Sequence, residues 1–205
     1  MTGVQTCALP IWVCFLKAVL KDDFELSKVT YAKVKNSYFS DFKSEKKFLH
    51  SQPARLDWIA NDLQNKCMLT GNVLCLVNGV AFGKKLASKI EGAVFLHGAD
   101  GKEVRKEIYA QFKDNDNLIV IATVNIAGTG LDITRIFNLV LVDIGKSFIR
   151  VIQAIGRGLR KGGDKDHVYV TDICSDLKYS KRHATKRIKH YNDAQYPNKK
   201  RSVDY

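Results

Sequence analysis

The chain has 205 residues, of which 45% are hydrophobic and 26% charged, and it carries a formal net charge of +12 at pH 7. This length and apolar content allow one sizeable core in one or two domains. Since no apolar run approaches the roughly 20 residues that cross a bilayer, we expect no membrane anchor.

Residues 1–11 read like the translation of a common sequencing adapter that has been fused in frame. A signal peptide is the competing interpretation, but there is no charged region at the start and Pro10 interrupts the apolar stretch. We therefore expect residues 1–11 to be foreign to the fold, and natural sequence to be missing before Trp12.

Residues 12–65 are predicted to form the end of an interdomain linker followed by a packing helix. The first part mixes charged and aromatic residues without a clear period, whereas Ser51 and Pro53 are typical of a helix start. Leu56, Ile59 and Leu63 then repeat at helical spacing, which predicts that the helix packs on the domain that follows.

Residues 66–176 alternate short apolar runs with amphipathic segments. The predicted strands cover residues 73–77, 93–96, 118–122, 139–144 and 168–173. Nearly continuous apolar strands separated by helices indicate an α/β fold with a parallel sheet and helices on both faces. Ligands of such sheets bind at the carboxyl ends of the strands, where His97, Gly98 and Thr123 are expected to lie.

A glycine-rich turn directly follows the predicted strand at residues 118–122. Its sequence is Thr123-Val-Asn-Ile-Ala-Gly128-Thr-Gly130-Leu-Asp132. Glycines let the backbone approach a ligand closely, and a following carboxylate can accept hydrogen bonds from sugar hydroxyls. A tight turn before a helix is the simpler reading of a lone Gly-x-Gly.

A second motif, Gln153-Ala-Ile-Gly-Arg157-Gly-Leu-Arg160, places a glutamine and two arginines on one helical face. The apolar residues Phe148, Ile152, Ile155 and Leu159 fall on the other side, so the helix is predicted to pack inward and present guanidinium groups outward. Forked cations held in this way suit phosphate. A surface helix with scattered arginines is the alternative.

Residues 177–205 form a basic C-terminal segment. Nine cations and one carboxylate lie between Lys178 and Arg201, which indicates a nucleic-acid partner, although a solvated tail fits equally well. The predicted contacts on this segment are Lys181, Arg182, Lys186 and Arg187. Ile188, Tyr191 and Gln195 suggest a helix that lays one side on the domain.

The five cysteines form no C-x-x-C pair, and the five histidines are dispersed. Reduced, structural cysteines in a cytoplasmic protein are expected, with no structural metal.

Together the two motifs resemble motifs V and VI of superfamily-2 helicases, which are nucleic-acid-dependent ATPases built from two RecA-like domains. Residues 72–78 are similar to motif IV and residues 94–98 to the strand end that follows it, so the resemblance covers roughly residues 72–173. It is strongest to phage and bacterial enzymes of the UvsW type, which remodel branched DNA and act in repair. The expected host is a bacterium or a phage-infected cell.

The resemblance implies that Arg157 and Arg160 act as arginine fingers and that Gln153 couples the nucleotide to domain closure. It also implies that Gly128, Gly130 and Asp132 line the nucleotide. His97, Gly98 and Thr123 would hold a nucleic-acid backbone. Ala154 stands where DEAD-box RNA helicases carry Arg, which favours DNA over RNA.

The chain contains neither a Gly-x-x-x-x-Gly-Lys-Ser/Thr loop nor the acidic pair for magnesium. ATP and magnesium are therefore expected to be held mainly by a missing N-terminal RecA-like domain, and the chain is expected to be inactive alone. Two alternatives stay open: a free-standing nucleic-acid-binding module, and a Rossmann-like nucleotide-binding protein. The second lacks a Gly-x-Gly-x-x-Gly fingerprint.

Overall fold

The computed structural model describes residues 11–17, 38–127, 135–146 and 168–205. Its strands are β1 (Ile11–Leu16), β2 (Val73–Val77), β3 (Val94–Leu96), β4 (Ile119–Thr123), β5 (Asn138–Val142), β6 (Tyr169–Ser175) and β7 (Asn198–Val203). Its helices are α1 (Phe42–Ser51), α2 (Pro53–Thr70), α3 (Val80–Ala87), α4 (Lys102–Asp114), α5 (Val124–Ala127) and α6 (Lys178–Asp193).

These seven strands form one parallel sheet in the order β3-β4-β2-β5-β6-β1-β7. The central strands β2, β4 and β5 are buried along their whole length, as expected for apolar strands covered on both faces. The predicted α/β fold with a parallel sheet is thereby confirmed. One of the five predicted strands, 73–77, has the observed bounds, and the other four differ by one or two residues at their ends.

Alternate residues of each central strand point to opposite faces and enter two separate cores. Leu74, Leu76 and their neighbours pack under α4 and α6, through side chains such as Phe112 and Ile188. Val73, Cys75 and Val77 pack under α2 and α3. The period of two along the strands thus places helices on both faces of the sheet.

Helix α2 begins where the sequence predicts. Pro53 occupies its first turn, where a missing N–H costs nothing, and Leu56, Ile59 and Leu63 are buried against the sheet. The expected packing of this helix on the following domain is confirmed. No helix in the described part of the chain is long and apolar enough to cross a membrane.

Two strands of the sheet, β1 and β7, come from outside residues 66–176, the predicted limits of the domain. β1 lies between β6 and β7, with Val13, Cys14 and Leu16 fully buried, so residues 12–16 belong to the sheet and not to a linker. Ile11, assigned to the foreign segment, is the first residue of β1 and is also buried. β7 comes from the basic C-terminal segment, so 177–205 is not separate from the domain.

Candidate functional site

The carboxyl ends of the central strands meet at one edge of the sheet. Val77 is in register with both Thr123 and Val142, and Leu96 with Ala122, so β2, β3, β4 and β5 end side by side. Thr123 and His97 therefore occupy this edge on neighbouring strands, as the sequence predicted. We call it the carboxyl edge.

The turn after β3 is fixed by its own side chains. The His97 backbone N–H donates to Asp100 Oδ2 at 2.6 Å, and the Ala99 N–H donates to His97 Nδ1 at 3.2 Å. Gly98 is exposed, and a Cβ on it would meet nothing within 4 Å. Packing therefore does not require glycine at position 98, and its backbone is open to approach. Thr123 is only 7% exposed.

Six of the predicted site residues lie outside the described part of the chain. They are Gly128, Gly130, Asp132, Gln153, Arg157 and Arg160. The described residues that precede their two segments are Ala127 and Lys146, and both follow strands that end at the carboxyl edge. Both motifs are therefore connected to the edge that carries His97, Gly98 and Thr123.

A buried ionic cluster that sequence reasoning missed lies directly after β5. Arg55 Nη2 donates to Asp143 Oδ1 at 2.8 Å, both side chains are fully buried, and His50 Nε2 lies 3.4 Å from Asp143 Oδ2. Burial raises the pKa of Asp143, but Arg55 and His50 outweigh that effect, so its pKa is lowered. The backbone of Asp143 has φ of 49°, an uncommon conformation for a residue other than glycine.

The cluster ties the first helices of the described chain to the stretch that leads into the arginine motif. Arg55 is on α2, whereas His50 is on α1 and stacks on Phe82 of α3 with ring centroids 4.1 Å apart. The sequence signal for Asp143 was its place at the end of an apolar run. Its partners could not be predicted from the sequence, because Arg55 is 88 positions away.

The prediction that Arg187 contacts nucleic acid is wrong. Arg187 is 1% exposed, and its Nε and Nη2 donate to the two carboxylate oxygens of Asp172 at 2.7 and 2.8 Å. The Tyr191 hydroxyl donates to the same carboxylate at 2.9 Å. Burial lowers the pKa of Arg187, and Asp172 more than offsets this, so the guanidinium is held charged inside the domain and cannot reach a phosphate.

The other predicted cations of α6 do lie on the surface. Lys181, Arg182 and Lys186 are exposed, whereas Ala184, Ile188 and Tyr191 pack on the sheet. The predicted helix with one side on the domain is confirmed, although Gln195 follows the end of the helix. We call the three exposed cations the basic face of α6.

Glu45 of α1 holds the start of α6 in place. Its fully buried carboxylate accepts from the backbone N–H groups of Tyr179 at 2.8 Å and Ser180 at 2.6 Å, and from the Ser180 hydroxyl at 2.6 Å. A carboxylate satisfies the open N–H groups of a helix start and interacts favourably with its dipole. This contact sets the position of α6, and hence of its basic face, relative to α1.

Comparison with known proteins agrees with this architecture. The family model described as "Helicase conserved C-terminal domain" matches residues 58–162, just over half of the chain. The ATP-dependent RNA helicase DDX42 of Mus musculus is 27% identical in an alignment 153 residues long, which covers 68% of this chain and 16% of that protein. The ATP-dependent DNA helicase uvsW of Enterobacteria phage T4 is 24% identical in an alignment 175 residues long, which covers 76% of this chain and 35% of that protein.

The crystal structure of T4 UvsW superposes with a TM-score of 0.76 at 19% identity, covering 96% of this chain and 42% of that chain. This likeness shows a shared fold, and with the sequence relatives it confirms the expected resemblance to the UvsW type. The chain spans roughly a sixth to a third of the length of these curated relatives. Its match to the family model shows that the chain belongs to the family of helicase conserved C-terminal domains.

Proposed function

We propose that this chain is the C-terminal RecA-like half of an ATP-dependent DNA helicase or translocase that remodels or repairs branched DNA. The observation that carries the proposal is the convergence on one sheet edge. The turn at His97 and Gly98, the end of β4 and the stretch that leads into the arginine motif all lie there. Ligands of parallel sheets bind at this edge.

At that edge the chain would complete an ATP site shared with a second RecA-like domain. Arg157 and Arg160 would stabilise charge on the γ-phosphoryl group, and Gln153 would couple nucleotide state to closure. Gly128, Gly130 and Asp132 would line the sugar side of the nucleotide. The second domain would supply the loop for the triphosphate and the acidic pair for magnesium, because neither motif is in this sequence.

The nucleic acid would follow the backbone of Gly98, near His97 and Thr123, and the basic face of α6. These groups offer backbone N–H groups and cations but no base reading, so binding would be independent of sequence. DNA is the proposed substrate, because Ala154 departs from the DEAD-box pattern and uvsW is a DNA helicase by name. RNA is the alternative, since DDX42 is an RNA helicase by name. We place the enzyme in the cytoplasm of a bacterium or a phage-infected cell.

Reconstitution with a second RecA-like domain tests the proposed shared ATP site. Alone, the chain should hydrolyse no ATP, because arginine fingers need a phosphate site to act on. Adding an N-terminal RecA-like domain from a full-length relative should produce ATP turnover that DNA stimulates, measured by phosphate release. RNA in place of DNA serves as the comparison and identifies the substrate.

Two outcomes would contradict this proposal. Turnover at helicase-like rates by the chain alone would show that it holds a complete site. Binding of DNA without any turnover in the reconstituted pair would favour a free-standing nucleic-acid-binding module.

Salt dependence tests the basic face. Replacing Lys181, Arg182 and Lys186 together by Ala should weaken binding equally for unrelated DNA sequences. It should also flatten the plot of log K against log salt by about 0.9 for each duplex phosphate that the chain no longer neutralises, up to roughly three units. Fluorescence anisotropy over a salt series measures both.

The matched control replaces three exposed lysines of α3 and α4, namely Lys84, Lys85 and Lys106, and so removes the same charge elsewhere. Its salt slope should stay close to that of the unaltered chain. If log K falls with log salt at the same slope in both triple variants, the basic face does not contact DNA phosphate and serves solubility instead. Truncating 177–205 is unsuitable as a test, because it would also remove Arg187 and β7 from the fold.

A further inference from the structure

His183 lies where α6, α1 and the stretch after β5 meet. Its ring centroid is 4.3 Å from that of Phe42 on α1, and the imidazole is half-buried. One turn further along α6, Arg187 Nη1 donates to the Ile144 carbonyl at 2.5 Å. That bond brings α6 beside residues 143–146, which follow β5 at the carboxyl edge.

Cations lie close to His183 on two of these three elements. Arg182 and Lys186 are its exposed neighbours on α6, and Lys146 is exposed after β5. A further cation of α6, Arg187, is buried nearby.

The three buried carboxylates of the described residues, Glu45, Asp143 and Asp172, already have partners. Asp143, directly after β5, is paired with Arg55. Glu45 accepts from the start of α6, and Asp172 of β6 is paired with Arg187. Within the described ranges, no carboxylate pairs with Lys146, Arg182 or Lys186, so the local charge around His183 is strongly positive.

This setting favours the neutral imidazole. Burial lowers the pKa of His183 below its ordinary value of 6.5, and the charges of Arg187, Lys146, Lys186 and Arg182 lower it further. Nδ1 is covered and makes no hydrogen bond in the described part of the chain. His183 is thus a half-buried base whose pKa is lowered by burial and by the neighbouring cations.

We propose that Lys146, Arg182, His183 and Lys186 form a site for one backbone phosphate of a nucleic acid, and that His183 takes up a proton from solvent when the phosphate binds. The inference rests on the proposed function, since nucleic acid is the ligand. A phosphate offsets the cations that disfavour the imidazolium, so protonation becomes favourable in the complex. The site joins the basic face of α6 to the carboxyl edge through Lys146.

The sign of the pH effect follows from linkage. Because the pKa of His183 is lowered in the free chain and rises on binding, the complex holds more protons than the free chain within the window between the two values. Binding therefore tightens as pH falls through that window. Above the pKa that His183 has in the complex, and below the pKa that it has in the free chain, the contribution of His183 to the affinity no longer changes with pH.

The experiment measures binding of the whole 205-residue chain to a fluorescein-labelled DNA duplex at fixed salt, from about pH 8 to about pH 5.5. The affinity of the unaltered chain should increase over this range by about three- to tenfold more than that of His183→Gln, because binding raises the pKa of His183. The matched control is His190→Gln, about two turns further along α6. It should keep the pH dependence of the unaltered chain.

Nuclear magnetic resonance gives a second readout that does not depend on how well the variant folds. Titration of the His183 imidazole in the unaltered chain should show a higher pKa with DNA than without it. An equal or lower pKa in the complex, or the same pH dependence for His183→Gln as for the unaltered chain, would overturn the inference. Salt-dependent DNA binding without proton uptake would overturn this inference alone, whereas no DNA binding at any pH would also contradict the proposed nucleic-acid contact.

Discussion

Arg187→Ala is expected to lower the free energy of unfolding by about 3–5 kcal/mol, the usual cost of removing one partner of a buried ion pair. Asp172 is fully buried and takes both of its strongest hydrogen bonds from this guanidinium. Without Arg187 its charge would keep, among the described residues, only the Tyr191 hydroxyl, in a setting where an unpaired carboxylate is costly. Denaturant unfolding measured by circular dichroism gives the value.

Lys186→Ala is the matched control, because it removes a cation from the adjacent, exposed position. It should change stability by no more than about 0.5 kcal/mol. The double variant Arg187→Met/Asp172→Leu should recover much of the stability, since apolar replacements of a buried pair are often neutral. A destabilisation by Arg187→Ala no greater than that by Lys186→Ala would mean that the pair does not hold α6 on the sheet.

In an enzyme reconstituted with an N-terminal RecA-like domain, Arg157→Ala or Arg160→Ala is expected to lower kcat for ATP hydrolysis by about 10³ to 10⁵. That is the contribution of an arginine finger to phosphoryl transfer. The interaction forms as charge develops on the γ-phosphoryl group, so kcat should fall much more than KM rises. Steady-state turnover with saturating DNA measures both constants.

Lys161→Ala is the control, because it removes a cation next to the motif but outside the Gln-x-x-Gly-Arg-x-x-Arg pattern. Its kcat should stay near that of the unaltered enzyme. DNA affinity and unfolding should be unchanged in the two arginine variants. A rise in KM with kcat unchanged would assign these arginines to ground-state binding of the nucleotide.

The sheet could be predicted from sequence wherever strands are apolar along their whole length. β2, β4 and β5 are such strands, and each is buried end to end. β7 could not, because its Lys199, Lys200 and Arg201 are exposed and give the segment the composition of a solvated tail. β1 is apolar, but its neighbourhood of mixed composition led to its assignment to a linker.

The prediction for Arg187 was wrong for a different reason. It was based on the number of charges along 178–201, which suggested that Arg187 is exposed like its neighbours. The helical period places it differently: the buried residues of α6 are Ser180, Ala184, Arg187, Ile188 and Tyr191, all on one face. The position of Arg187 on the buried face of α6 therefore decides its burial, although arginine is usually exposed. Its partner Asp172 is the carboxylate of the preceding strand, β6.

The buried polar contacts of the site depend on residues far apart in sequence. Glu45 reaches Ser180 across 135 positions, and Arg55 reaches Asp143 across 88. Periodicity places a side chain on a face of its own helix but does not identify its partner on another element. These contacts therefore became visible only in the fold.

The place of β1 in the sheet has a consequence for how the domain folds. Both of its neighbours, β6 and β7, come much later in the sequence. Cys14, for example, is 160 positions from Cys174, whose thiol donates to its carbonyl. During synthesis β1 therefore stays unpaired until the residues of β6 and β7 have been made. Contacts of such long range slow folding and leave intermediates prone to aggregation. We expect β1 to dock late, onto a sheet that β2 to β5 have already begun.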